Sequence, residues 1–465
     1  MNNRPDLEKW HTTVLQAEFK DDMLEQSFDF EKYRRLEERL FDELERVIYA
    51  DASDYRRDRL NRYAAGSWSD RHREQLNWNK TFEMEKKEPK AMVLMLHGLS
   101  DSPYSMRTLA ESLHSRGAWV LGLRLPGHGT IPAALTEVRW QDFTAAVRLA
   151  AKYLHKKGGG KTPLYLVGYS NGAALALEYA LSRMAGEALP EPVGMVLLSP
   201  AVAVSPLAFL ADWNMKLAHL PGLEKLAWLS IDPEYDPYKY NSFAVNAGAQ
   251  IRRLTARVAA LVKKLDSDNG IEGFPAVLAF QSVVDDTIPP KALVDRLLNH
   301  LATGSHELVL FDLNRLAADL ALLRDDPYER VDKLFAEKQP FTLTLLSNRE
   351  SERHWLEERR KRAMESEIIS TPLQLRWPQG VFSLSHLALP FSSEDPVYGT
   401  RKSTSSEGFS LGALEVKGER GVLLAAPGDL IRLRYNPFYS YLEERTLDWI
   451  VPLSGVANPL ETGGQ

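Results

Sequence analysis

The stretch Leu164-Tyr165-Leu166-Val167-Gly168-Tyr169-Ser170-Asn171-Gly172-Ala173-Ala174-Leu175-Ala176-Leu177 joins an apolar run to a run of small residues through a glycine-flanked serine. Residues 164–167 read as a buried strand and the residues after 172 as a helix. The G-x-S-x-G between them has the layout of a nucleophile elbow, a turn tight enough to need glycine on both sides of the serine. Such a turn lifts the hydroxyl clear of the backbone and sets it at a helix N-terminus, where developing negative charge is favoured. A pentapeptide of common residues decides nothing alone. Its weight depends on what lies around it.

Outward from Ser170, strand-sized and helix-sized patterns alternate, the signature of a mostly parallel sheet with helices on both faces. Upstream, Ala91–Leu96 reads as a buried strand, Pro103–Ser115 as a helix, Trp119–Leu123 as a strand and Trp140–Lys156 as a helix. Downstream, Val193–Leu198, Pro275–Phe280 and Leu308–Leu313 read as further strands. Residues 1–88 are polar, with Leu36, Leu40, Leu44 and Ile48 at helical spacing among Glu and Arg, which predicts a helical extension packing on the core.

Two stretches break the rhythm of the 89–465 domain. Residues 201–250 hold four prolines with Trp213, Leu217, Leu220, Leu223 and Trp228. They read either as a lid over an acyl pocket or as helices filling core. Residues 315–375 read as a second insertion, with a strand at Phe341–Leu346 and a charged, solvated helix around Arg349–Glu367.

An activated serine needs a base, a carboxylate to orient that base, and amide donors for an oxyanion. His97-Gly98-Leu99-Ser100-Asp101-Ser102 follows strand 91–96 and can aim the Leu99 amide at the reaction centre. The Asn171 amide would be the second donor. His97 and His128, in Leu125-Pro126-Gly127-His128-Gly129-Thr130, read as loop-bracing residues. The acid comes from Ser282-Val283-Val284-Asp285-Asp286-Thr287-Ile288-Pro289 at a strand tip, where α/β sites assemble. Asp285 is preferred, with Asp286 left to cap the helix near Pro290. Of the histidines that follow, His300 ends a helix, His306 starts a strand and His354 falls in the charged helix. His386, in Phe382-Ser383-Leu384-Ser385-His386-Leu387-Ala388, sits in a loop after the last strand candidates and is the predicted base.

The order Ser170, Asp285, His386 and the motifs just quoted resemble those of the α/β-hydrolases, in the monoglyceride lipase, lysophospholipase and serine aminopeptidase-like group. The resemblance covers about 90–300 and returns at His386. It implies the α/β-hydrolase fold and carboxylic-ester hydrolysis through an acyl-enzyme, with Ser170, Asp285 and His386 as triad. Two features depart from the group: 101 residues separate Asp285 from His386, and the N-terminal extension has no counterpart in its compact members. An apolar lid favours a hydrophobic ester such as a monoacylglycerol or lysophospholipid, and offers contact with a lipid surface. An amidase or aminopeptidase using the same triad, or a non-catalytic hydrolase-fold binding protein, are the competing readings.

Composition narrows the rest. The net charge of −6 gives no electrostatic reason to expect nucleic acid. Cysteine is absent, which excludes disulfides, thiol catalysis and thiolate zinc sites, and weakly favours an extracytoplasmic setting. No signal segment or membrane span is apparent, so the reading is a soluble protein of cytoplasm or cell envelope. Gly158-Gly159-Gly160-Lys161-Thr162 lacks the leading glycine of a phosphate loop, and Asp266-Ser267-Asp268-Asn269-Gly270 lacks the closing Glu of a calcium loop. No cofactor or metal is expected.

Overall fold

The computed structural model describes residues 4–24, 27–51, 59–73, 76–203, 223–285, 287–317, 326–400, 410–412 and 432–453. Their strands are β1 (Phe82–Met84), β2 (Ala91–Leu96), β3 (Ala118–Leu123), β4 (Leu164–Tyr169), β5 (Pro192–Leu198), β6 (Trp228–Ser230), β7 (Phe243–Ala244), β8 (Ala276–Ser282), β9 (Glu307–Phe311), β10 (Thr342–Asn348), β11 (Trp355–Lys361) and β12 (Ile368–Arg376). The helices are α1 (Lys9–Thr12), α2 (Phe30–Val47), α3 (Arg107–Arg116), α4 (Trp140–Lys157), α5 (Asn171–Met184), α6 (Val245–Leu265), α7 (Pro290–Arg296), α8 (Pro327–Ala336) and α9 (Tyr439–Ile450).

All strands but β6 and β7 form one sheet in the order β1-β3-β2-β4-β5-β8-β9-β10-β11-β12. Neighbours from β3 to β10 run parallel, and β1, β11 and β12 add antiparallel edges. This is the α/β-hydrolase arrangement that the strand-helix alternation predicts. Because side chains alternate across a strand, β2 feeds two cores. Met92, Leu94 and Leu96 meet α4, α5 and α6 on one face; Ala91, Val93 and Met95 meet α3 and α9 on the other. Parallel strands buried on both faces read as unbroken apolar runs, which is why they are easy to find in the sequence.

The described residues of 4–84 pack closely on this body. Phe30, Tyr33 and Leu36 of α2 join the α4-side core, while Leu40, Phe41, Leu44 and Ile48 close over Ile131 and Tyr63. A buried ion cluster ties the two parts together. Arg124, just past β3, pairs through Nη2 with Glu18 at 2.9 Å and through Nε with Glu37 at 2.8 Å. Its Nη1 also donates to His128 O at 3.0 Å, so the same guanidinium fixes the 124–130 loop.

The sequence expectation fails at residues 349–367. No helix forms there: β11 pairs antiparallel with β10 and β12, and these three strands extend the sheet. The charges of this stretch find partners on other elements, far along the chain. Arg360 reaches Glu307 at 3.1 Å, Glu358 accepts from Tyr441 OH at 2.6 Å, and Lys361 Nζ donates to Phe335 O at 2.7 Å, at the carbonyl end of α8. His354 is exposed in the turn before β11. Residues 103–106 form a 3₁₀ turn ahead of α3 in place of one continuous helix. Part of the predicted lid, 204–222, lies outside the described residues, while its C-terminal part enters α6, packed on α5 in the core. No helix of the described residues is long and apolar enough to cross a membrane.

Candidate active site

The candidate residues gather at the C-terminal edge of the parallel strands. Ser170 follows β4 with φ 53° and ψ −110°, a backbone state that a non-glycine residue holds only when its surroundings enforce it. The enforcement is visible. Ser170 N donates to Leu198 O at 2.9 Å, and Ser170 O accepts from the amides of Ala173, Ala174 and Ala201. The flanking glycines have no room for more: a Cβ on Gly172 would collide with the Leu96 and His97 carbonyl oxygens, and one on Gly168 with the Ala173 backbone. Gly172→Ala is therefore expected to cost about 3 kcal/mol, read as a lowered thermal midpoint; an unchanged midpoint would show the helix free to shift away from β2.

Asp285 lies buried beyond β8 with both carboxylate oxygens engaged. Oδ1 accepts from the amides of Thr287 and Ile288, each at 2.9 Å. Oδ2 accepts from Ser199 Oγ at 3.0 Å and meets His386 Nδ1 at 3.2 Å. An ionised carboxylate only accepts, so this contact leaves the proton on Nδ1 and the lone pair on Nε2. His386 opens a 3₁₀ turn capped by Ser385, and it is buried against the Tyr169 ring at a centroid distance of 5.4 Å. Tyr169 OH donates to His386 O at 3.4 Å. Residues 169–170, 198–199, 285 and 386 thus share one cluster of contacts. Among the described residues, Ser170 Oγ and His386 Nε2 are not hydrogen-bonded to each other, as is common before substrate tightens such a site. Asp286, expected to cap the helix near Pro290, lies outside the described residues; the N-cap position of α7 is Pro289.

Sequence reasoning missed Ser199. It follows β5 with φ 41°, and its hydroxyl is the second donor to Asp285 Oδ2. The available signal was its place directly after a buried strand, one strand over from the elbow.

The two loop histidines have structural contacts. His97 Nε2 accepts from Leu125 N at 3.0 Å and its Nδ1 donates to Gly98 O at 2.8 Å, linking the loops after β2 and β3. Burial holds it well below the usual histidine range, so it stays neutral. His128 is likewise buried, bonded to Pro126 O at 2.8 Å and lowered to about 4 by desolvation. Leu99 is half-buried in the loop that His97 ties down, and the next residue, Ser100, has φ 66°. The Asn171 amide, at the first position of α5, is one of the N–H groups a helix leaves unpaired. Its side-chain amide is buried with neither polar atom partnered among the described residues.

Residues 87–312 match the family model Hydrolase_4, described as serine aminopeptidase, S33. The thermostable monoacylglycerol lipase of Bacillus sp. (strain H-257) is 26% identical over 217 residues, 47% of this chain and 79% of that protein. Phospholipase YtpA of Bacillus subtilis (strain 168) is 25% identical over 222 residues, 46% of this chain and 83% of that protein. Among solved structures, the monoacylglycerol lipase of Paleococcus ferrophilus aligns at a TM-score of 0.38 with 21% identity, over 50% of this chain and 88% of its own. The family match spans the stretch that holds Leu99, Ser170, Asn171 and Asp285, and this chain, which has the α/β-hydrolase fold, is similar to the serine aminopeptidase S33 family and to a monoacylglycerol lipase and a phospholipase.

Proposed function

We propose that the protein is a serine hydrolase that cleaves carboxylic esters through an acyl-enzyme on Ser170, His386 and Asp285. The observation that carries this reading is the His386 Nδ1–Asp285 Oδ2 contact at 3.2 Å beside the strained Ser170 elbow. His386 Nε2 takes the Ser170 proton as Oγ bonds to the ester carbonyl carbon, and the electron pair of the C=O moves onto oxygen. The Leu99 and Asn171 amides receive that oxyanion, each contributing on the order of 3 kcal/mol. Collapse expels the alcohol, which leaves with the proton held by His386. Water then attacks the acyl-enzyme by the same route and returns free Ser170. Asp285 stabilises the imidazolium at both stages.

The substrate we assign is a hydrophobic acyl ester, a monoacylglycerol or lysophospholipid, encountered at a lipid surface. The names of the two relatives and the apolar sequence of residues 201–250 support it. They favour an ester over an amide substrate. A fluorophosphonate probe is expected to label Ser170, and an acyl-chain series of p-nitrophenyl esters to be cleaved faster than matched anilides. A folded protein that stays unlabelled would point to a binding role, and faster anilide cleavage to an amidase.

A further inference from the structure

The oxyanion loop 97–102 is gripped from the segment that follows residue 223. Tyr240 N donates to Ser100 O at 2.9 Å, and Lys239 Nζ stands 3.2 Å from Asp101 Oδ1. Asp101 is buried, and its other oxygen packs under Gly98, where any side chain would collide with it. The grip therefore brackets Leu99 on both sides. Ser100 needs it, since a serine in the left-handed region persists only where neighbours hold it.

The gripping segment is itself held from behind by the N-terminal extension. Arg62 N donates to Glu234 O at 2.8 Å and Arg62 Nη1 to Lys239 O at 3.2 Å. Asn79 Nδ2 donates to Pro237 O at 3.1 Å, and His11 Nε2 meets Ser242 Oγ at 2.9 Å. Arg62 and Asn79 are buried. Buried charge and amide groups are a poor way to gain stability, because desolvation offsets most of their attraction. They are directional, however, and fix where a backbone stands.

We propose that the N-terminal extension, acting through residues 234–242, positions the oxyanion loop, with Arg62 and Lys239 as the positioning residues. This rests on the reading of Leu99 as an oxyanion donor. The interaction is used only once charge develops on the substrate oxygen, so losing it lowers kcat and leaves KM nearly unchanged. A misplacement of about 1 Å costs on the order of 100-fold.

The test uses the full chain and p-nitrophenyl butyrate. Lys239→Met is expected to lower kcat about 10- to 100-fold with KM within about two-fold, and Lys239→Arg to regain most of the loss. A folded Lys239→Met protein with wild-type kcat, or with a loss carried by KM alone, overturns the proposal. If that variant fails to fold because Asp101 is left unpaired, the double variant Asp101→Asn/Lys239→Met is measured instead, and wild-type kcat there overturns it equally. Arg62→Gln reads the extension's share: at least about a three-fold fall in kcat at constant KM is expected. Wild-type kcat in folded Arg62→Gln overturns the extension's role. Fluorophosphonate labelling separates the two levels. An unlabelled wild type defeats the nucleophile reading, whereas a labelled wild type with unaffected variants defeats only the positioning role.

Discussion

Replacing Ser170 by Ala is expected to lower kcat on p-nitrophenyl esters by about five to six orders of magnitude, with the thermal midpoint unchanged. The rate falls because the covalent route is lost and only the oxyanion donors and binding remain to act on the ester. Stability holds because the contacts that enforce the elbow are made by the Ser170 backbone and not by its hydroxyl. Alanine meets the same φ of 53° that serine tolerates, so no new strain enters. Esterase activity surviving in the purified variant would move the chemistry away from this residue.

The second large effect is expected from Asp285→Asn, a loss of about 10⁴-fold in kcat. Here the surroundings decide which way the amide turns. Two backbone amides, of Thr287 and Ile288, point at Oδ1 and demand an acceptor there. The new Nδ2 must therefore face His386 and Ser199. A donor opposite His386 Nδ1 forces the imidazole proton onto Nε2, the atom that has to accept from Ser170. The Ser199 hydroxyl can rotate to accept, so it does not oppose the flip. Steady-state kinetics on folded protein check this. A loss below about 10-fold would transfer the acid's role to Asp286.

Legibility in the sequence tracked how local the cause of each element was. β2, β4 and residues 276–280 of β8 are apolar runs because helices cover both faces of the sheet, and such runs stand out without any knowledge of neighbours. Ser170, Asp285 and His386 could be nominated because each lies just past a recognisable strand or turn. β11 was misread because its Glu, Arg and Lys residues satisfy a helical charge pattern, while their partners Glu307, Tyr441 and the α8 carbonyls lie tens of residues away. Ser199 escaped for the same reason. Its function is defined by a carboxylate 86 residues downstream, which spacing along the chain does not reveal.

The long path from Asp285 to His386 bears on when the protein becomes active. That path threads β9, β10, β11 and β12 before it returns to the site. Closing a longer loop adds little to the folding free energy, about 0.6 kcal/mol per doubling of its length, so these four strands fit there at small thermodynamic cost. The cost falls on timing instead. During synthesis the elbow, its helix and the oxyanion loop emerge with their local partners, but the imidazole arrives only after the outer strands have been made. On the proposed triad, a ribosome-bound chain ending before residue 386 would carry a serine with no proton acceptor, and so would stay chemically silent toward esters.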